Sequence, residues 1–186
     1  MTRKYAELTF TDSVKQAQER YGSRQPKTRM EAVQSAEDRL TDREADFIAG
    51  RDGFYVASVG EDGWPYVQFR GGPKGFLKVL DDRRLGFADF RGNRQYITTG
   101  NILSDGRVAL FLMDYANRQR LKIMARAEIY DVGQSPGLIE QLEDQNYRGH
   151  IERAVVYHVV AFDWNCPQHI TPRWTEAELA AVALTV

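Results

Sequence analysis

The fold is decided from residue 54 onward, where the sequence is FYVASVGEDGWPYVQFR (residues 54–70). Apolar and aromatic side chains recur there at the two-residue period of β-strands, on either side of a Glu61-Asp62-Gly63 turn. Two such runs joined by a short glycine-containing turn predict a β-hairpin that pairs Phe54–Val59 with Pro65–Arg70.

Further strands are predicted along the rest of the chain. They are Phe76–Leu80, Leu85–Asp89, Arg107–Met113, residues 120–129 and Ala154–Phe162. Only short helices interrupt them, at about Asn93–Leu103, Pro136–Gln145 and Thr175–Ala183. Six or seven strands joined mainly by short turns predict a mainly β fold, an antiparallel β-barrel with peripheral helices, and argue against a layered βαβ sheet.

The first forty residues have a different character from the rest. They are polar and suggest two short helices, Ser13–Tyr21 and Arg29–Leu40. Thr41 followed by Glu44 forms a capping box, which predicts a helix that ends near Gly50. We therefore expect an N-terminal helical arm over residues 1–40 and a barrel domain over residues 41–186.

Composition indicates one globular domain. The chain has 186 residues, of which 42% are hydrophobic and 27% charged, and it contains neither a low-complexity tract nor a membrane-spanning apolar run. The lone Cys166 rules out an intramolecular disulfide, and the N-terminus contains no signal-peptide-like apolar segment. We expect a cytoplasmic protein with no membrane partner.

Charge is distributed unevenly along the sequence. Residues 70–126 contain twelve Lys and Arg residues but only five acids, a net charge of +7 in a chain whose total is −1. Such a segment attracts anions, although solvated strand faces give the same pattern. A nucleic-acid-binding module is a weaker alternative, because the aromatic residues are dispersed among many strands and form no recognisable stacking platform.

Two motifs in this basic segment suggest a phosphate ligand. The glycines of Gly71-Gly72-Pro73-Lys74-Gly75 let backbone approach a ligand or form a bulge, but a strand follows them, whereas a P-loop or dinucleotide fingerprint needs a helix there. Asn93 stands where a helix is predicted to begin, beside the cation Arg94. That pair is a candidate phosphate site, and an ordinary capped helix is the alternative.

The C-terminal region offers weaker signals. Cys166 and His169 have a zinc-like spacing, but a structural zinc needs four ligands and the sequence has only two other histidines, so we predict no metal site. Trp164 and Arg173 would suit a planar, electron-poor ring at the rim of a barrel. Core packing of Trp164 and solvation of Arg173 explain the same residues.

Taken together, several stretches resemble the pyridoxamine 5′-phosphate oxidase-related family of FMN-binding split barrels. The resemblance covers roughly Thr41 to Trp174 and implies a six-stranded split barrel. It also implies a homodimer with FMN in two interface clefts, and an FMN-dependent oxidoreductase acting on a small molecule, with NAD(P)H as a candidate electron donor. The stretches that carry it are residues 70–72, 75–81, 85–93, 100–102 and Asn165-Cys166-Pro167.

The resemblance also implies cofactor contacts. It assigns flavin and phosphate contacts to the strand pair that begins at Arg70, Gly71 and Gly72, with Lys78 as the phosphate lysine. Asn93 and Arg94 match a small polar residue and a cation on the phosphate, and Arg120 lies near a flavin-contacting position. Trp164 and Arg173 match a tryptophan and an arginine that approach the flavin ring from the partner subunit.

The chain departs from the sequence pattern of pyridoxamine 5′-phosphate oxidase itself at two places. His169-Ile170-Thr171 stands where an Arg-x-His pair would hold the substrate, so pyridoxine-phosphate oxidation is not expected. Asp89 follows Ala88 where a tyrosine-threonine pair is expected, and an acid beside a phosphate is unfavourable unless it faces the ribityl hydroxyls or a neighbouring cation. Asp89 stays among the candidate cofactor-binding residues. The sequence does not identify the catalytic residues or the substrate. The alternative to an oxidoreductase is a non-catalytic protein that binds flavin, deazaflavin or haem.

Overall fold

In the computed structural model, which describes residues 3–25, 37–164 and 166–183, three helices precede the sheet. They are α1 (Arg3–Thr9), α2 (Asp12–Arg20) and α3 (Asp42–Ala49). The described residues contain seven strands: β1 (Gly53–Val59), β2 (Pro65–Gly71), β3 (Lys78–Val79), β4 (Arg84–Phe90), β5 (Arg107–Asp114), β6 (Gln119–Asp131) and β7 (Ile151–Trp164). Three more helices lie between or after them: α4 (Ile97–Ser104), α5 (Pro136–Leu142) and α6 (Glu176–Ala183).

The strands form one antiparallel sheet in the order β2-β1-β5-β6-β7-β4-β3. The predicted hairpin is confirmed, since β1 pairs with β2 from Gly53 opposite Gly71 to Val59 opposite Pro65. The predicted capping box is confirmed too, because the backbone amide of Thr41 donates to Glu44 Oε2 at 3.0 Å at the start of α3.

The sheet curls until its two ends face each other. The ring of Phe54 on β1 lies 5.7 Å from that of Phe87 on β4 and 6.1 Å from that of Tyr157 on β7, although β5 and β6 separate β1 from β7 in the sheet order. These rings belong to one buried core that fills the interior. Because β2 and β4 are not hydrogen-bonded neighbours, a gap separates them, and the barrel is split there. The predicted mainly β barrel is confirmed.

The strand count differs slightly from the six that the family resemblance implies. The seventh is β3, which has only two paired residues, Lys78 and Val79. The chain before it stays in a turn, because Gly75 has a left-handed φ of 80° and the amide of Phe76 donates to the carbonyl of Pro73. Six longer strands therefore build the barrel, and β3 extends its edge.

The N-terminal segment lies on the sheet. Helix α1 packs against β7; Tyr5 and Ala6 of the helix are buried, as is Phe10, which follows it. The helix predicted for Arg29–Leu40 lies mostly outside the described residues, and residues 37–40 are not helical. The division into an arm and a barrel domain stays a prediction. Among the described residues, no helix is both long enough and apolar enough to cross a membrane.

Candidate functional site

The gap between β2 and β4 opens into a cleft with a volume of about 170 Å³. One wall is β2, whose alternate side chains Tyr66, Gln68 and Arg70 line it. The other walls are the end of β4, the segment from Gly92 to Thr99 and the first part of β7. The split of the barrel therefore opens into a cleft lined mainly by polar and charged side chains.

A buried carboxylate joins the two sides of the cleft. Asp89 on β4 is only 4% exposed. Its Oδ1 accepts from Arg70 on β2 at 2.9 Å, and its Oδ2 accepts from Arg153 on β7 at 2.8 Å. The acid that is unexpected beside a phosphate thus faces two neighbouring cations.

A second carboxylate continues this network toward solvent. Glu152 accepts hydrogen bonds from Arg91 at 3.0 Å, from the Tyr96 hydroxyl at 3.2 Å and from Arg153 at 2.9 Å. The same Tyr96 hydroxyl accepts from Arg94 Nε at 3.3 Å. The network therefore combines four guanidinium groups with two carboxylates, a net charge of +2.

A β-bulge brings Glu152 and Arg153 to the same site. Asp89 pairs with Arg153 and Phe90 with Ile151, so Glu152 is an extra residue between them. Consecutive residues of a regular strand point to opposite faces, and a bulge breaks that alternation. Both side chains can therefore line one cleft.

The segment before α4 differs from its prediction. A helix is predicted from Asn93, but α4 begins at Ile97. The reason is backbone conformation, since Arg94 and Tyr96 have left-handed φ values of 60° and 55°. Asn93 instead closes a turn by accepting from the amide of Gln95 at 3.2 Å. Strained non-glycine residues of this kind cluster at functional sites.

The surroundings of Glu152, Arg153 and Arg94 favour the charged forms of these three side chains. Burial raises the pKa of the Glu152 carboxyl, but the hydrogen bond from Arg91 and the charge of Arg153 outweigh burial, so the pKa lies below the ordinary 4.5. Burial lowers the pKa of Arg153, but the charge of Asp89, its hydrogen bond and the charge of Glu152 act together against burial, and the net shift is upward. The hydrogen bond to Tyr96 raises the pKa of Arg94.

The glycines and the lysine of the 71–78 segment lie outside this cleft. The Gly72 amide donates to the carbonyl of Asp52 at 3.0 Å, and a Cβ on Gly72 would lie 2.7 Å from the Phe76 ring. Gly71 pairs with Gly53 in the sheet. Lys78 Nζ donates to the carbonyls of Gln141 and Glu143, at 2.9 and 3.1 Å, at the end of α5. Cofactor contacts by these three residues stay predictions.

Arg120, Trp164 and Arg173 also lie apart from the cleft within one chain. Trp164 Nε1 donates to Glu44 at 2.6 Å, and its ring packs edge-on against Phe47. The Arg173 guanidinium lies 5.0 Å from the ring centroid of Tyr115. Arg120 stands near the start of β6, where its Nε is buried with no hydrogen-bond partner among the described residues. Their roles toward a cofactor stay predictions.

Of the ten cofactor-site residues that the sequence predicts, the structure brings four to this cleft: Arg70, Asp89, Asn93 and Arg94. The cleft also contains Glu152 and Arg153, which the sequence analysis misses. No local signal marks that pair as part of the site. Only the β4–β7 register, which brings Arg153 opposite Asp89, could have indicated it.

Cys166 and His169 lie in the segment that follows β7. Cys166 is exposed, and His169 has a left-handed φ of 63° in the turn that follows β7. In residues 3–25, 37–164 and 166–183, no group of three or more His, Cys, Asp or Glu side chains is arranged to hold a metal ion.

Comparison with known proteins identifies similar folds. The chain resembles HupZ of Group A Streptococcus, with a TM-score of 0.52 and 16% identity over 73% of this chain and 99% of HupZ. It resembles a candidate pyridoxamine 5′-phosphate oxidase from Lactobacillus delbrueckii, with a TM-score of 0.51 and 22% identity over 67% of this chain and 93% of that one. An FMN-binding protein from Syntrophomonas wolfei gives a TM-score of 0.52 and 11% identity, over 67% and 85%.

These structural likenesses show a shared fold. Among the curated proteins, the search finds no match. A family-wide sequence profile described as pyridoxamine 5′-phosphate oxidase matches residues 40–156, which is more than half of the chain. The chain therefore belongs to the pyridoxamine 5′-phosphate oxidase family.

Proposed function

We propose that this protein binds FMN in the cleft between β2 and β4 and acts as an FMN-dependent oxidoreductase. The observation that carries the proposal is the uncompensated positive charge of the ion network at the cleft. Two carboxylates and three guanidinium groups line the cleft, those of Arg70, Arg94 and Arg153. Arg91 pairs with Glu152 from outside the lining, so the network as a whole keeps +2. A phosphate monoester carries about −1.5 to −2 charges at pH 7 and has three strong acceptor oxygens. The net positive charge of the network and its guanidinium donors therefore match the negative charge and the acceptor oxygens of a phosphate monoester.

The residues present fit such a phosphate. Arg94 is exposed, and the hydrogen bond that it makes within the described residues uses Nε alone. Its terminal nitrogens are thus the proposed phosphate donors, with Asn93 beside them. The first-turn amides of α4 add the positive end of a helix dipole. Tyr66 and Gln68 on β2 would contact the remainder of the ligand.

The chain's own contribution is to bind and orient. FMN, when bound, would supply hydride and electron transfer. Both carboxylates of the cleft, Asp89 and Glu152, are held in ion pairs with arginines, so neither is suited to act as a general acid or base. This arrangement supports direct hydride transfer to or from the flavin.

A second copy of the chain would complete the site. The cleft of one chain measures about 170 Å³, whereas pockets for drug-sized ligands span about 300–1,000 Å³. The outer face of the same edge of the sheet is apolar, with Val67 and Phe69 61% and 55% exposed beside Tyr55 and Val59. Exposed apolar surface of this kind marks interaction sites. We propose a homodimer through this face, with Trp164 and Arg173 of the second copy as candidate ring contacts.

The proposal is supported by the family and by one neighbour. The similar structure from Syntrophomonas wolfei is an FMN-binding protein, although at 11% identity it shows the fold alone. A flavin carrier without turnover is the competing function, because both carboxylates of the cleft are held in ion pairs.

Two measurements on the purified protein test the proposal. Denaturation followed by mass analysis identifies the released chromophore, and we expect FMN after the protein has been saturated with a mixture of FMN, riboflavin and haem. Anaerobic addition of NADH or NADPH should then bleach the flavin absorption. Release of haem, or no retained chromophore, contradicts FMN binding. FMN that is retained but is bleached neither by NADH or NADPH nor by any of a series of small-molecule reducing substrates contradicts the oxidoreductase function.

A further inference from the structure

We infer that Asp89 is a positioning residue of the phosphate site: it lies between Arg70 and Arg153 and fixes these two guanidinium groups, from opposite sides of the barrel split, in one arrangement. The inference rests on the proposed anion site in the cleft. It gives Asp89 a role through its neighbours and not through contact with the ligand.

The geometry of the carboxylate carries the first step. Each oxygen of Asp89 is bound by a different arginine, at 2.9 and 2.8 Å, and the side chain is 4% exposed. The three residues belong to β2, β4 and β7, and β2 and β4 share no backbone pairing. Asp89 therefore links two strand ends that the sheet itself leaves apart.

The charge balance gives the second step. Without the acid, two guanidinium groups would face each other in a largely buried space and repel. One carboxylate between two cations removes this repulsion and still leaves one positive charge. A buried carboxylate can therefore hold cations for an anionic ligand without cancelling their attraction.

A chain of contacts extends this order to the proposed phosphate donor. Arg153 is held by Asp89, donates to Glu152 at 2.9 Å and lies 4.9 Å from the ring centroid of Tyr96. Tyr96 in turn accepts from Arg94 at 3.3 Å. The position of Arg94 thus depends on Arg153, and that of Arg153 depends on Asp89.

If Asp89 is a positioning residue, its removal changes the affinity for anions in the direction opposite to the one expected from charge alone. Removing a negative charge near an anion site strengthens anion binding if the charge acts only through its field. If Asp89 positions the arginines, its removal weakens anion binding although the cleft becomes more positive. Loss of fold would weaken binding of charged and neutral ligands alike.

The test is titration of Asp89→Asn with FMN and with riboflavin, which lacks the phosphate. We expect FMN affinity to fall by about tenfold or more, as for the loss of a hydrogen bond to a charged group, and riboflavin affinity to stay within about twofold. Asp81→Asn is the matched control: Asp81 pairs with Arg84 on the exposed β3–β4 turn, and both affinities should match the parent. Unchanged or tighter FMN binding overturns the inference, and so does an equal loss for both ligands.

A second variant and a second probe keep the result interpretable. If Asp89→Asn does not fold, Arg153→Lys keeps the charge but cannot bridge Asp89 and Glu152 with one planar group, and we expect the same selective loss of FMN affinity. Inorganic phosphate, followed by the thermal stabilisation of apoprotein, supplies a readout without flavin. Stabilisation of the parent but not of the variant, with no flavin bound by either, supports the inference and contradicts the proposed function. No stabilisation of the parent by phosphate and no FMN binding contradict both.

Discussion

Two segments of this chain share a composition of glycines and cations, yet the structure uses them differently. Residues 70–78 contain a tight turn that packs on the chain itself, with Gly72 against Phe76, and Lys78 after the turn donates to the carbonyls at the end of α5. Residues 89–94 join Glu152, Arg153 and Arg70 in a network that keeps a net charge of +2.

The difference shows what separates a binding site from a structural motif of the same composition. A cation whose donors are taken by helix carbonyls stabilises the fold, whereas cations that outnumber their carboxylates attract a ligand. Arg70 stands at the boundary, because it belongs to the first segment in sequence and to the second in space.

The largest expected effect comes from the outer face of β2. Phe69→Glu places a charge on the apolar face proposed to bind a second copy, and we expect a monomer in light scattering with FMN binding lost to the detection limit. Tyr21→Glu is the control, since Tyr21 is 77% exposed at the end of α2 and is not one of the residues of that face. A monomeric Phe69→Glu that binds FMN like the parent would show that one chain suffices.

The next effect separates the two segments directly. Arg94→Ala should weaken FMN binding by about tenfold or more, as expected for the loss of a hydrogen bond to a charged group. Lys78→Ala should lower the free energy of unfolding by about 1 kcal/mol, because it removes two hydrogen bonds at a helix C-terminus, and leave FMN affinity within about twofold. Calorimetric titration and urea denaturation measure both. A Lys78→Ala protein with the larger loss of FMN affinity would restore the phosphate role that the family resemblance assigns to Lys78.

A smaller effect on stability sharpens the same contrast. Gly72→Ala brings a Cβ to 2.7 Å from the buried Phe76 ring, so we expect a loss of about 1–3 kcal/mol in the free energy of unfolding. Gly92→Ala meets no atom within 4 Å and should change stability by less than about 0.5 kcal/mol. Equal unfolding midpoints for the two variants would remove the structural explanation of the first segment.

The smallest effect is a pH dependence of FMN binding. The second pKa of a phosphate monoester is about 6, so its charge falls from −2 to −1 between about pH 7.5 and 5, and FMN affinity should fall several-fold. Glu152, whose pKa lies below 4.5, stays ionised in that range; its stabilising ion pairs are present above its unfolded pKa and are lost only as pH falls further through its lower folded pKa. Riboflavin affinity, measured by fluorescence quenching, should stay constant. A parallel fall for riboflavin would place the titrating group on the protein.

Much of the fold could be predicted from local sequence, because its signals are local. Alternation and turn residues predict the β1–β2 hairpin, and the Thr41–Glu44 spacing predicts α3. The start of α4 could not be predicted, because Arg94 and Tyr96 have left-handed conformations that local sequence does not indicate. Tyr96 contacts Glu152 and Arg153, which belong to a strand more than fifty residues away.

The candidate site could be predicted in part for the same reason. Arg70, Asn93 and Arg94 belong to short motifs and were placed together. Glu152 and Arg153 enter through the bulge opposite Asp89, and a bulge depends on how two distant strands pair. The pairing of Asp89 with Arg153 can therefore be identified only when the register of β4 and β7 is known.

The most direct test is the crystal structure of the protein with FMN. We predict the phosphate at the cleft between β2 and β4, with the guanidinium of Arg94 at hydrogen-bond distance from a phosphate oxygen and Lys78 still on the carbonyls of Gln141 and Glu143. A phosphate bound by Lys78, with those carbonyls released, or a flavin seated away from the Asp89 network, would contradict this account.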